Sequence, residues 1–156
     1  MGVKSNLAEE REQAEPPLLD SLIGYRLRRA SNRMTSDFLV TVSPLALRPA
    51  LFAMLEGIRT TPGIIQMALG TELGIQRANL VPLINELTGR GLVARRAAPN
   101  DRRALSLFLT AKGEELLDRA EKMVLEHEER TLAKLSKTER AKLLELLSKV
   151  ATDVDA

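Results

Sequence analysis

The chain has 156 residues with 23 Lys and Arg against 21 Asp and Glu, a formal net charge of +2, which is typical of one domain with extensions. The absence of cysteine excludes disulfides, thiolate metal sites and thiol redox sensing, and the single histidine, His127, has no carboxylate cluster to complete a metal site. No apolar run reaches the roughly 18 residues that a membrane helix needs, and the N-terminus is unlike a secretory signal, so we expect a cytoplasmic protein.

Charge is distributed unevenly along the chain. Between Gln76 and Lys112 the basic residues outnumber the acidic ones, which are only Glu86 and Asp101, and the balance reverses from Glu114 to Glu129. A basic block beside an acidic block suits a polyanion-binding face, although mixed charge is also typical of an ordinary solvated surface. The basic block overlaps a predicted helix-turn-helix, formed by a helix from Pro62, a turn at Gly74 and a helix from about Gln76 to Arg90. This overlap favours nucleic acid as the partner.

The N-terminal part predicts a tail and then a helix. Residues 1–17 are polar and acidic, with little to bury, and predict a disordered tail. From Leu18 to about Val42 an apolar stripe at helical spacing predicts one amphipathic helix. A second stripe, about 100° away around that helix, carries three arginines: Arg26, Arg29 and Arg33. Either these side chains extend along the flank of a packed helix, or they form an anion site suited to a carboxylate or a phosphate.

The central part predicts three more helices. Ser43-Pro44 predicts a helix start, with Ser as N-cap and Pro in the first turn. Pro62 predicts the start of the next helix, whose buried side comprises Ile65, Leu69 and Leu73. Gly74 is placed to take the left-handed conformation that ends a helix and turns the chain. A further helix is expected from about Gln76 to Arg90.

The outer side of that last helix carries side chains that suit base recognition. In a major groove Arg reads guanine edges, and Asn or Gln reads adenine edges. The candidate residues are Gln76, Arg77, Asn79, Pro82 and Asn85. Pro82 lies beyond the first turn and should bend the helix, because it removes one backbone hydrogen bond. The bend could tilt the helix end in the groove, the ring could contact thymine methyl groups, or the proline could mark a tolerated surface kink.

A basic hairpin follows the helix. Strands are predicted from Leu92 to Arg96 and from Arg103 to Leu109, joined by a loop with turn chemistry over residues 98–102. The charged candidates are Arg95, Arg96, Asp101, Arg102 and Arg103. Asp101 and Arg103 can pair on one face of an extended segment, which would hold Arg103 in the posture that minor-groove entry requires. The alternative is a surface hairpin with incidental charges.

The C-terminal part predicts two helices and suggests a dimer. Thr110 predicts the N-cap of a long helix reaching about Leu135, and Ser136-Lys-Thr-Glu139 predicts a capping box for the last helix. His127 falls near the apolar stripe, as expected of a packed or interface histidine. Helices at both ends of the chain carry apolar stripes that the central part does not cover. Pairing with a second copy about a two-fold axis is the economical arrangement, and a monomer with a helical cap is the alternative.

Five sequence motifs together resemble one family. They are Pro62-Gly-Ile-Ile-Gln, Leu73-Gly-Ile-Gln-Arg-Ala-Asn-Leu, Leu87-Thr-Gly-Arg-Gly-Leu-Val-Ala-Arg-Arg, Asp101-Arg-Arg-Ala and Leu109-Thr-Ala-Lys-Gly. The order of Gly-Leu-Val, two arginines, a short loop, Asp-Arg-Arg and Leu-Thr-x-x-Gly is more specific than a helix-turn-helix alone. From about Leu18 to Val150 the chain resembles the MarR family of bacterial winged helix-turn-helix regulators.

The resemblance implies a fold and a division of labour. The fold is mainly α with a small β-hairpin wing, in a homodimer that usually acts as a repressor on double-stranded DNA. The implied regions are a tail (1–17), N-terminal helices for dimerisation and lobe support (18–61), a DNA-binding winged helix-turn-helix lobe (62–110) and C-terminal dimerisation helices (111–156). The resemblance also implies that Asp101 and Arg103 support minor-groove contact, while the recognition helix, Gln76 to about Asn85, contacts bases.

The resemblance further implies a possible small-molecule effector and no cofactor, and the family also includes regulators with no known ligand. Ligand-responsive members bind aromatic carboxylates, phenolic compounds or coenzyme A thioesters in a cleft between the dimer helices and the DNA-binding lobe. We expect Arg26, Arg29 and Arg33 to hold the anionic end of such a ligand, which would shift the dimer to a spacing that no longer matches the DNA. The peroxide-sensing branch of the family uses a cysteine, which this chain lacks.

Two other classes of function compete with this reading. A helical protein-interaction module or anti-regulator could keep the fold without reading DNA, and Pro82 in the recognition helix is the feature that most favours it. An enzyme is disfavoured, because the sequence shows no nucleophile–base pair, no metal-ligand spacing and no phosphate-binding loop.

Overall fold

The computed structural model describes residues 18–98 and 101–151, and for Ala98 and residues 101–104 it describes the backbone alone. The predicted tail, residues 1–17, lies outside the described residues. The elements in chain order are α1 (Leu18–Ser21), α2 (Ile23–Thr41), a 3-10 turn (Ser43–Leu45), α3 (Pro49–Thr60), α4 (Gln66–Glu72), α5 (Arg77–Gly89), β1 (Val93–Ala98), β2 (Asp101–Leu109), α6 (Ala111–Thr131) and α7 (Lys137–Ala151). The mainly helical fold with one hairpin confirms the predicted class.

The chain divides after Ser36 into two compact units. The described part of the first unit comprises α1 and the residues of α2 up to Ser36. The single helix predicted from Leu18 is therefore wrong at its start, since Leu22 interrupts it. The hydroxyl of Ser21 donates to the carbonyl of Leu18 at 2.7 Å, a local side-chain bond that competes with helical pairing.

The second unit has an aliphatic core to which nearly every element contributes. Leu51, Met54, Leu55 and Ile58 of α3 are buried, together with Leu47 just before the helix. From the later elements the core takes Leu69, Leu80, Ile84, Leu87, Leu92, Leu107 and Leu117, which are all fully buried. Burial of side chains this size stabilises by about 1.5–3 kcal/mol each, so this core dominates the stability of the unit.

The helix predicted to start at Ser43 begins at Pro49 instead. Ser43–Leu45 forms a 3-10 turn, and Ala46 takes a left-handed conformation with φ 47° and ψ 45°. Arg48 is extended, with φ −125° and ψ 157°, because a residue before proline is driven out of the helical region. Pro49 therefore determines the start of α3, and the hydroxyl of Ser43 donates to the carbonyl of Val40 at 2.9 Å rather than capping a helix.

The helix predicted to start at Pro62 begins only at Gln66, because the residues between pair with the hairpin. The amide of Gly63 donates to the carbonyl of Leu107 at 2.9 Å, and the amide of Leu107 donates to the carbonyl of Ile64 at 3.0 Å. Gly63 has φ +85°, which is not helical and which favours glycine. This pairing buries Ile64 and leaves Ile65 41% exposed, so the predicted burial of Ile65 is wrong.

The hairpin is longer than its prediction. β1 and β2 are antiparallel, with a regular register from Val93 opposite Leu109 to Ala97 opposite Leu105 and an irregularity between Ala97 and Ala98. The predicted loop over residues 98–102 is therefore too wide, since both its ends belong to strands. At the base of the hairpin, Gly113 of α6 lies so close that an added Cβ would be 2.1 Å from the carbonyl oxygen of Leu92.

The predicted N-caps of the two C-terminal helices are confirmed. The hydroxyl of Thr110 accepts from the amide of Gly113 at 3.0 Å. The amide of Ser136 donates to the carboxylate of Glu139 at 2.8 Å, and the amide of Glu139 donates back to the hydroxyl of Ser136 at 3.3 Å. The hydroxyl of Ser136 also donates to that carboxylate at 2.7 Å, and this bond, followed by the one from the Ser136 amide, holds the pKa of Glu139 below its usual range.

The helix that begins at Thr110 ends earlier than predicted. It stops at Thr131 rather than near Leu135, and Arg140 of α7 donates to the carbonyls of Leu132 and Leu135 at 3.0 and 3.2 Å. The carbonyl of Leu132 also accepts from the amide of Leu135 at 2.9 Å. These bonds give the carbonyls the partners that a further helical turn would otherwise supply. The last helix, α7, has no buried residue.

Candidate nucleic-acid interface

The helix-turn-helix is held together by close packing of its two helices. Gly74 has φ +62° and makes the turn between them, as its position predicts. A Cβ on Gly70 of α4 would lie 2.6 Å from the Cδ2 atom of Leu80, so the helices approach there as closely as glycine allows. Leu80 itself is 1% exposed. The core side of α5 is therefore fixed, and its opposite side faces outward.

The predicted base-reading residues of α5 are all exposed: Gln76, Arg77, Asn79, Pro82 and Asn85. Gln76 occupies the N-cap position, and Arg77 is the first helical residue. Neither side chain has a hydrogen bond or ion pair to another described residue, so both are available to an external partner. The structure thus places an Arg and a Gln at the helix end that enters a major groove in helix-turn-helix proteins.

Pro82 lies in the middle of α5, which continues through it to Gly89. With Asn79, Leu83 and Glu86 of the same helix and Arg48 from the start of α3, it lines a depression of about 360 Å³, which we call the Arg48 notch. The guanidinium of Arg48 donates to the carboxylate of Glu86. The predicted bend at Pro82 stays a prediction.

The two described arginines of the wing have different surroundings. Arg95 donates to the side-chain oxygen of Asn85 on α5, and thereby joins the hairpin to that helix. Arg96 is the next residue of β1 and points to the other face of the hairpin. Its guanidinium carbon lies 4.7 Å from the centre of the Phe108 ring. Of the two, only Arg95 therefore lies beside α5, and the role of Arg95 and Arg96 in DNA binding stays a prediction.

Asp101, Arg102 and Arg103 belong to β2 by their backbone, but their side chains lie outside the described residues. The predicted pairing of Asp101 with Arg103 thus stays a prediction.

Part of the basic block has an internal role that the sequence does not reveal. The guanidinium of Arg90 donates to the carbonyls of Ala46 and Leu45 at 2.8 and 2.7 Å. The ammonium of Lys112 donates to the carbonyl of Arg90 at 2.8 Å. These two cations hold the turn before α3 and the base of the hairpin against the end of α5, rather than facing a partner.

Arg48 and Glu86 border the candidate interface, and the sequence pattern did not identify them. They are 38 residues apart, so no local motif joins them. One signal was available: Asn79, Pro82, Leu83 and Glu86 follow the i, i+3, i+4, i+7 spacing of one side of a helix. That spacing predicts a shared surface on α5, but it does not say which distant residue borders it.

The arginines predicted to bind an effector lie on α2 in the first unit, and all three are exposed. Arg26 forms an ion pair with Asp20 at 3.3 Å and donates from Nε to the carbonyl of Asp20 at 2.8 Å. Arg29 and the neighbouring Arg28 lie over the Tyr25 ring, with guanidinium carbons 5.8 and 5.6 Å from its centre. Arg28 therefore extends the positive surface, whereas Arg26 is partly neutralised.

His127 is a packed side chain, as predicted. It is 3% exposed, its Nδ1 atom is 2.7 Å from a carboxylate oxygen of Asp37, and its ring lies edge-on to Phe38 at 5.8 Å. The hydrogen bond to His127, followed by the one from Arg130, holds the pKa of Asp37 below its usual range. Within residues 18–98 and 101–151, no group of three His, Cys, Asp or Glu side chains could hold a metal ion. No helix in those same ranges could span a membrane.

Comparison with known proteins agrees with this geometry. The MarR family model matches residues 47–104, from the start of α3 to the wing. A protein of Thauera aromatica assigned to transcriptional regulation of the hcr operon is 33% identical over 129 residues, covering 82% of this chain and 78% of that protein.

Two solved structures of the transcriptional repressor CouR are also similar. The one bound to a 23-mer DNA duplex is 41% identical, with a TM-score of 0.83 over 89% of this chain and 100% of that chain. The one bound to p-coumaroyl-CoA is 38% identical, with a TM-score of 0.81 over 90% of this chain and 99% of that chain. Together with the helix-turn-helix and its hairpin, these matches show that the chain belongs to the MarR family of transcriptional regulators.

Proposed function

We propose that this protein is a homodimeric repressor that binds a near-palindromic site in duplex DNA and is released by a small anionic or aromatic effector. The observation that carries the proposal is the exposed N-terminal end of α5, where Gln76 and Arg77 have no described partner. Arg95, on the adjoining hairpin, adds positive charge beside the same helix. A helix end with an Arg and a Gln directed outward suits guanine and adenine edges in a major groove.

The likeness to CouR supports duplex DNA as the partner, because that repressor has been solved on a 23-mer duplex. In this proposal residues 62–110 form the DNA-binding lobe, α5 enters the major groove, and Arg103 at the wing enters the adjacent minor groove. Residues 18–61 and 111–156 support the lobe and the dimer. A two-fold dimer would then place two recognition helices about one turn of DNA apart.

The exposed apolar side chains of the terminal helices support the dimer. In α7, Leu144 is 67% exposed and Val150 is 68% exposed, values that are costly for a helix that stays in water. In the first unit, Leu18 and Ile23 are each 74% exposed. Burial of these side chains against a second copy would remove that apolar surface from water.

The effector class rests on charge and on likeness. Arg26, Arg29 and Arg33 form an exposed positive row on α2, and such a row suits carboxylate or phosphate groups. The likeness to CouR bound to p-coumaroyl-CoA supports an aromatic acid or its coenzyme A thioester as the effector. Ligand binding would favour a spacing of the two lobes that does not match successive major grooves, and the affinity for DNA would fall.

Selection of bound sequences from a random DNA pool, followed by titration of the selected duplex at several salt concentrations, tests the proposed DNA binding. Contact through several arginines predicts a steep fall of affinity with salt, and Arg77→Ala and Arg103→Ala should each weaken binding and flatten that slope. A flat, weak response would reject DNA binding and favour a protein-interaction module.

Screening aromatic acids and their thioesters for release of the selected duplex tests the effector. The double variant Arg26→Ala, Arg29→Ala should bind the duplex as the wild type does, yet resist release. If release by an active compound were unchanged in that variant, the arginine row would be excluded as the effector site.

A further inference from the structure

The recognition helix has an arginine on each of two sides. Arg95 of β1 contacts Asn85, and Arg48 at the start of α3 contacts Glu86. Asn85 and Glu86 are consecutive residues of α5, so their side chains point about 100° apart around the helix. Arg95 and Arg48 therefore reach α5 from different sides, with the outward Pro82 between them.

A helix in a major groove has negatively charged phosphates on both of its sides. The groove is about 12 Å wide, and a helix with its side chains is about 10–12 Å across, so phosphates of one strand border it on one side and phosphates of the other strand border it on the opposite side. The hairpin supplies positive charge to one border. Arg48 lies on another side of α5, beside Asn79 in the Arg48 notch, where it would face the other border.

Arg48 is free to change partners. Its side chain is 54% exposed, that of Glu86 is 37% exposed, and the guanidinium uses one donor atom on Glu86 in the described structure. An exposed ion pair of this kind is weak, because water competes for both charges. A guanidinium also has five donors in a planar fork, which matches two oxygens of a phosphate.

We propose that the Arg48 notch receives a backbone phosphate of the DNA strand on the side of α5 away from Arg95. Arg48 donates to this phosphate, and the side-chain amide of Asn79 lies next to it. In the free protein Glu86 holds Arg48 along the flank of α5. On DNA the phosphate replaces Glu86 as the partner of the guanidinium. The carboxylate of Glu86 then repels the phosphate and so opposes binding. This inference rests on the proposed DNA binding.

The notch therefore contributes to affinity without contributing to sequence choice. Phosphate contacts position a protein on the duplex and carry no base information directly. Loss of Arg48 should weaken binding to the selected duplex and to an unrelated duplex by the same factor. That uniformity separates Arg48 from Gln76 and Arg77, whose loss should weaken the selected duplex more.

The test compares full-length wild type, Arg48→Gln, Arg48→Lys and Glu86→Gln on the selected duplex and on an unrelated duplex. Affinity is measured from 50 to 200 mM salt. The plot of log affinity against log salt concentration has a slope of about 0.9 in magnitude per neutralised phosphate, and the dimer has two Arg48 side chains. Arg48→Gln should therefore reduce the magnitude of that slope by about 1.8. The ratio of wild-type to variant affinity should then fall about 12-fold from 50 to 200 mM salt. Arg48→Lys should keep the slope, since a lysine still neutralises a phosphate. Glu86→Gln should tighten binding to both duplexes equally.

Arg119→Gln is the matched control, because Arg119 is an exposed arginine of α6 without a hydrogen bond or ion pair to another described residue, and its slope should equal that of the wild type. Equal thermal unfolding of the Arg48 variants and the wild type shows that any loss is not a folding defect. If Arg48→Gln kept the wild-type slope, or weakened only the selected duplex, the notch would not hold a phosphate. If the wild type itself showed no salt-dependent binding, the proposed DNA binding would fall instead.

Discussion

Replacement of Gly113 by alanine should loosen the junction between α6 and the base of the wing. A Cβ at this position would lie 2.1 Å from the carbonyl oxygen of Leu92, whereas real Cβ contacts are essentially never under 3.0 Å. The two backbone segments must therefore separate by about 1 Å, and both are stiff. That separation strains the bond from the amide of Thr110 to the carbonyl of Leu92, now 3.0 Å, and the Thr110 cap next to it.

The expected cost follows from three contributions. Overpacking costs roughly 1–3 kcal/mol, and a weakened N-cap costs about 1 kcal/mol, while alanine recovers up to about 1 kcal/mol of helix propensity. The net loss is about 2 kcal/mol in the free energy of unfolding. For a chain of this length it corresponds to a Tm lower by roughly 4–8 °C.

Thermal unfolding followed by circular dichroism, at one fixed protein concentration, measures this loss. The concentration matters because a dimer unfolds with a concentration-dependent Tm. Gly89→Ala is the matched control: it also lies in a helix, but its added Cβ would meet no atom within 4 Å. The control should melt at or slightly above the wild-type temperature. If Gly113→Ala did the same, the close approach to Leu92 would not constrain the fold.

Three further predictions concern the core, the strand pairing and the ion pair of Arg59 with Glu121. Leu80→Ala should lower the free energy of urea unfolding by about 3 kcal/mol through the cavity it leaves, whereas Val81→Ala, at a 43% exposed position, should change it by under about 0.5 kcal/mol. Gly63→Ala should cost about 1–3 kcal/mol in the same assay, since φ is +85° and the Phe108 ring would lie 3.1 Å from the new Cβ; an unchanged midpoint would contradict this. A hydrogen bond from Arg59 holds the pKa of Glu121 below its usual range, so the stabilising contribution of that carboxylate is fully present above its ordinary pKa of 4.5 and is lost as pH falls through the lowered pKa. Glu121→Gln and wild type should thus differ in Tm at pH 7 and converge in acid, while a constant difference at every pH would refute the assignment.

Local chemistry predicted some boundaries and misplaced others. Thr110 and the Ser136–Glu139 box cap helices, and Gly74 makes a turn, through bonds to residues at most four positions away. Each of these features is predicted correctly. Ser43-Pro44 resembled a helix start equally well, but Pro49 five residues later overrides it. The effect of Pro49 on Arg48 is also local, so closer attention to the residue before each proline would have found it.

Pairings between distant segments could not be predicted in this way. The segment after Pro62 pairs with β2 because the fold brings Leu107 beside Gly63, and no pattern within residues 62–65 shows that. The candidate interface has the same limitation. The α5 residues follow from helical spacing, but the contact of Arg48 with Glu86 depends on tertiary packing over 38 residues.

The segment beside β2 also affects how copies of this protein meet in solution. A strand edge with free amides and carbonyls recruits strands from other molecules, which leads to aggregation. Gly63, Ile64 and the bridge from Ile65 to Ser106 occupy the edge of β2 near its base. The stretch of β2 from residue 101 to residue 105 lies beyond this pairing, and its sequence includes two arginines. Because like charges on neighbouring strands repel, a second strand of the same sequence would pair with this stretch unfavourably, which disfavours intermolecular sheet growth.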